Sequence, residues 1–90
     1  MGSFNYFKRK TLNKDLSIWI RLAALRSCIR DLSQTKKSRY LELLHFFDDK
    51  YSFDRYRDTN NEPPSDDLLI KVLEDVEAER KNIIASRRVN

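Results

Sequence analysis

One glycine and two prolines in 90 residues leave almost nothing for the tight turns that join β-strands. No run approaches the roughly 18 consecutive apolar residues that cross a bilayer, and the start lacks the apolar segment of a signal peptide. The single cysteine, Cys28, cannot form a disulfide within the chain and lies in an apolar stretch, as a core thiol does in a reducing compartment. There is no metal-binding Cys/His spacing, no glycine-rich phosphate turn and no RNP-like strand. Together these absences predict a soluble, cytoplasmic, non-enzymatic protein with no cofactor and no membrane span. Met1-Gly2-Ser3 does not make an acylation site, because Tyr6 stands where the motif requires Ser or Thr.

What is present suits helices. The chain is 36% charged and 40% hydrophobic, enough for one domain, although a chain this short buries only about 60–65% of its unfolded surface. The predicted fold is all-α: a three-helix bundle, or a helical hairpin with a third helix that two subunits exchange.

Residues 1–12 read as an aromatic and basic arm ahead of a helical domain over 13–90. Asn13 or Asp15 is suited to cap a first helix over about 14–33, where Ile18, Leu22, Leu25, Ile29 and Leu32 recur at four-three spacing. Leu16, Trp19, Ile20, Ala23 and Cys28 widen that seam, so more than one neighbour should contact this helix. A second helix over about 37–57 carries Tyr40, Leu44, Phe47 and Tyr51 at the same spacing, broadened by Leu41, Leu43 and Phe46. The composition of TNNEPPS, 59–65, predicts a loop. Ser65 then caps a third helix over about 66–87, with Asp66 and Asp67 at its positive end and Leu69, Leu73, Val76 and Ile83 on its seam. Arg80 interrupts that seam. The apolar breadth of the first helix and the large rings of the second predict a homodimer.

Charge is divided along the chain. Residues 1–40 hold ten cations and two carboxylates, a net of +8, while the other fifty hold eight and twelve, a net of −4. The acidic third helix can neutralise the basic first one within the fold. Alternatively Arg21, Arg26, Arg30, Lys36, Lys37 and Arg39 face outward and follow the phosphates of double-stranded nucleic acid. In SFNYFKRK, Phe4, Tyr6 and Phe7 precede Lys8, Arg9 and Lys10, a strap that fills a gap in the core before the chain returns to water. Base stacking and membrane insertion are the other readings of those rings. A ribbon-helix-helix arrangement, with residues 4–10 as its strand, conflicts with the length of the first helix.

His45, Asp48 and Asp49 share one helical face, but three adjacent polar groups without a pocket make neither a metal centre nor an active site. The same segment is better suited to protein contact. Tyr51, Phe53, Arg55, Tyr56 and Arg57 are residue types enriched at interface hot spots, although some must serve the core. The sequence thus predicts a small protein-interaction module, a regulator, adaptor or inhibitor that occupies a partner's surface, with a basic nucleic-acid-binding dimer as the alternative.

Overall fold

The computed structural model describes residues 3–53 and 64–88. It is all-helical: α1 (Ser3–Leu12), α2 (Ile18–Lys36), α3 (Tyr40–Tyr51) and α4 (Asp66–Arg88). Helix α2 is the centre, contacted by α1, α3 and α4, and α4 also touches α1 and α3. The breadth of its apolar surface has this cause, since Leu22, Leu25, Cys28, Ile29 and Leu32 are all fully buried.

The expected arm is a helix, so the described chain has four helices and not three. Its inner face is Phe4, Phe7 and Thr11, at spacings of three and four. Phe4 lies in the common core and Phe7 packs against its edge. Thr11 hides this periodicity in the sequence, because a hydroxyl stands where an apolar residue would mark the seam. Within the fold the hydroxyl donates to the Phe7 carbonyl at 2.8 Å, so its burial leaves no unmet polar group. Arg9 and Lys10 occupy the last turn of α1, where the helix dipole favours cations.

Helix α2 begins four residues later than expected. Asn13 accepts from the Asp15 amide at 3.0 Å and so forms a turn, and Ser17 is the cap, accepting from the Ile20 amide at 3.3 Å. The helix continues past Ser33 to Lys36, then ends on Lys37 in the left-handed region at φ 60°. Lys37 donates to the Gln34 carbonyl and Ser38 to the Ser33 carbonyl, the paired closure that satisfies the last turn. Helix α3 stops at Tyr51 and not near 57, because Ser52 at φ 57° turns the chain and donates to Asp48. Phe53 is thereby directed into the core, where it is fully buried. With its only glycine at position 2, the chain closes both helices with residues that carry a Cβ.

At α4, Ser65 accepts from the Leu68 amide at 3.1 Å, as its position before two aspartates implied. Leu69, Val72, Leu73 and Val76 fill the core, and Ile83 packs against its edge. No described helix is long and apolar enough to cross a membrane.

Two stability effects follow. Phe4→Ala should cost about 3–5 kcal/mol in urea unfolding, whereas Tyr6→Ala should stay within about 0.5 kcal/mol. A Phe4→Ala effect as small as that of Tyr6→Ala would show that α1 is not part of the core. Lys37→Gly relieves the left-handed strain and should add about 0.5–1 kcal/mol in the same assay; a loss would mean that the lysine side chain stabilises this end by another route.

Candidate binding surface

The charged residues divide into those that tie helices together and those that line the surface. Arg21, in the first turn of α2, is 5% exposed. Its Nε donates to the Thr11 carbonyl at 2.7 Å, at the end of α1, and its Nη2 donates to the Asp66 carboxylate at the start of α4. One guanidinium therefore joins three helices, and Lys14 adds a second, looser charge at Asp66, 3.6 Å away. Arg21 next to Asp66 holds that carboxyl below the usual carboxylate range.

At the other end of α1, Asp31 accepts from Ser3 Oγ at 3.1 Å and Arg80 Nε at 3.0 Å. The Arg80 guanidinium lies over the Phe4 ring, 4.6 Å from its centroid. Arg80 thus interrupts the α4 seam in order to reach across to α2. Further ties run from α4 to Lys8 through Glu77 at 2.6 Å and to Lys36 through Glu79 at 3.2 Å. At α3, Asp75 accepts from Lys50 Nζ and from the Tyr51 hydroxyl, both at 2.8 Å. The hydrogen bond from Lys50, with that from Tyr51, pulls the Asp75 carboxyl down. The Asp75 hydrogen bond holds Lys50 up, and burial with the Asp75 bond raises Tyr51. Burial pushes the Cys28 thiol up to about 12, which makes it a core residue and not a nucleophile at neutral pH.

These ties decide where the sequence-predicted site residues fall. Arg21 is internal and cannot reach a phosphate backbone. Lys36 is exposed but paired with Glu79. Lys37 and Arg39 are exposed around the α2–α3 connection, and Arg30 is exposed with its guanidinium 4.5 Å from the centroid of the Tyr40 ring. Of the expected protein-contact residues, Tyr51 is half-buried on Asp75 and Phe53 is core, so neither offers a free ring; Arg55, Tyr56 and Arg57 lie outside the described residues. His45 is exposed, and the described residues contain no group of three or more His, Cys, Asp or Glu placed to hold a metal.

The outward apolar surface lies elsewhere. Leu41 is 61% exposed, Phe46 58%, Ile20 46% and Trp19 44%. A cleft of about 400 Å³ runs between α2 and α3, with Ala23, Arg26, Ser27 and Arg30 on one side and Tyr40, Leu41 and Leu44 on the other. A second, of about 210 Å³, lies between α2 and α1 and is lined by Phe7, Lys10, Ile20, Ala23 and Ser27. Ala23 and Ser27 line both clefts, so the outer face of α2 is the floor of one trough walled by α1 and α3. The signal for it in the sequence was position: Leu41 lies off the Tyr40–Leu44–Phe47–Tyr51 seam, and Ile20 and Ala23 off the α2 seam. Comparison with known proteins finds no matching family model, no matching curated protein and no matching solved structure.

The Lys50–Tyr51–Asp75 group sets a pH window. Asp75 and Asp66 have folded values below their unfolded ones, so their contribution is complete above about pH 4 and fades as acid protonates them. Tyr51 and Lys50 have raised folded values, so theirs is complete below about pH 10 and fades as base removes their protons. The urea midpoint should therefore be flat between these limits and fall on either side. Asp75→Asn should lower the plateau and shallow both limbs; unchanged limbs would remove Asp75 from the account.

Proposed function

We propose that the protein is a non-enzymatic interaction module that occupies a partner protein's surface through the trough over α2. The observation that carries this reading is Leu41, 61% exposed beside a cleft of about 400 Å³ and continuous through Ala23 with Ile20. An apolar side chain that exposed, at the lip of a concave surface rimmed by polar groups, is the arrangement found where proteins dock. The expected contact segment at Tyr51–Arg57 is replaced in this reading by α2 and the start of α3. A second copy of the chain is one candidate partner, as the breadth of α2 suggested.

The nucleic-acid reading retains Arg26 and Arg30 on the outer face of α2 and Lys37 and Arg39 at the α2–α3 turn. It loses Arg21 to the interior and has Lys36 engaged with Glu79. Fewer phosphate contacts mean weaker binding with a shallower dependence on salt.

Photo-crosslinking separates the readings. A photoreactive amino acid at position 41 should yield a discrete protein adduct in the native cell, while one at the exposed position 71 of α4 should not. An adduct with nucleic acid at 41 favours the alternative, an adduct with the chain itself gives the homodimer, and equal labelling at 41 and 71 removes the trough as a docking site.

A further inference from the structure

We infer that the trough over α2 accepts an acidic amphipathic helix of about three turns from a partner protein. This inference rests on the interaction-module reading and narrows it to one class of partner.

The shape argument comes first. From Ile20 to Arg30 the α2 floor runs about 15 Å at ~1.5 Å per residue, the length of a helix of roughly ten residues. Along it, Ala23 and Ser27 lie one turn apart and line both clefts. Short side chains there let a second helix axis approach to the ~8–10 Å at which helices pack. Phe7 and Ile20 on one side, with Leu41 and Leu44 on the other, face the stripe that an amphipathic helix presents at i, i+3, i+4 and i+7.

The charge argument selects the partner. Elsewhere in the fold Asp66, Asp75, Glu77 and Glu79 of α4 sit against cations of α1, α2 and α3. The two clefts that make the trough are lined by Lys10, Arg26 and Arg30 and by no carboxylate, and the nearest one, Asp31, lines an adjoining cleft of about 260 Å³ that shares Phe7, Ser27 and Arg30 with them. Asp31, next along α2, is turned to Arg80 and Ser3. A docked helix therefore meets positive charge from Lys10 on the α1 wall and from Arg26 and Arg30 on the α2 floor, with apolar groups on both walls. A basic helix meets repulsion at the same positions, and a bare phosphate backbone leaves Ile20 and Leu41 without an apolar counterpart. Charge complementarity and the apolar lining together specify a helix with leucine-like residues on one face and glutamate or aspartate on its flanks.

The test is a displayed library of twelve-residue helical peptides, about three turns by the same rise, with the apolar face fixed and the flanking positions drawn from Glu, Gln and Lys. The full chain is the bait. Selected binders should be rich in Glu, should weaken with salt, and should shift the amide resonances of Ala23, Ser27, Arg30 and Leu41. Arg30→Glu and, independently, Leu41→Glu should each reduce their affinity by about tenfold or more, as desolvated charged and apolar contacts do. Both side chains are exposed, so helicity by circular dichroism should be unchanged.

Binders without charge preference, binders indifferent to both variants, or no binders at all would overturn the inference. Displacement of a selected peptide by duplex DNA, with DNA shifting the same amides, would overturn it in favour of phosphate recognition. A protein adduct at position 41 alongside any of the first three outcomes leaves the interaction-module reading standing and removes only the acidic helix.

Discussion

The fold depends on one buried guanidinium. Arg21 is almost wholly withdrawn from water, and a buried cation is tolerable only when its donors are met. Two helix termini meet them: the Thr11 carbonyl, left over at the end of α1, and the Asp66 carboxylate, placed at the start of α4 by the Ser65 cap. The side chain thus joins the end of α1, the start of α2 and the start of α4 in one satisfied junction. Among the described residues no buried side-chain nitrogen or oxygen lacks a partner. The apolar core can close beneath this junction because nothing in it still calls for water.

The same logic accounts for the lopsided charge of the sequence. A +8 half followed by a −4 half resembles the signature of a nucleic-acid ligand, yet much of it is spent on internal bracing. Glu77, Glu79, Asp66 and Asp75 on α4 face Lys8, Lys36, Arg21 and Lys50 on the three other helices. Most of these pairs are partly exposed and individually weak. Their value lies in orientation: four pairs of one polarity fix which face of α4 meets the other helices, and the Asp31–Arg80 pair of reversed polarity fixes its register. What remains outside the bracing, around Arg30 and the α2–α3 connection, is the charge available to a partner.

Much of this was legible in the sequence, for a physical reason that also explains the failures. Wherever a seam is built of aliphatic residues at four-three spacing, as in α2 and α4, the pattern names the buried residues directly. Helix α1 escaped because its inner face is two phenylalanines and a threonine, too few and too polar to register as a period. The end of α3 escaped because Ser52 adopts a backbone usually signalled by glycine. Arg21 escaped for a subtler reason. It begins a second seam, Arg21, Leu25, Cys28 and Leu32, at the same four-three-four spacing as the aliphatic one, but an arginine on a helix reads as solvated unless its partner is known, and Asp66 is 45 residues away. The trough was half-visible: Leu41 and Ile20 add apolar width beyond the seams of two helices, a width that reads both as contact between helices and as the face of a dimer.

The position of α4 has a consequence for how the molecule is made. Helices α1, α2 and α3 leave the ribosome first, as a unit whose main contacts join neighbours in sequence and can form quickly. Until residues 66–80 follow, that unit carries an Arg21 without its carboxylate and an α2 seam without its cover. That open seam lies on the opposite side of the same helix from the mature trough. The nascent chain therefore displays a sticky apolar surface of the kind chaperones bind, and completion of α4 covers it and leaves the trough on the other face.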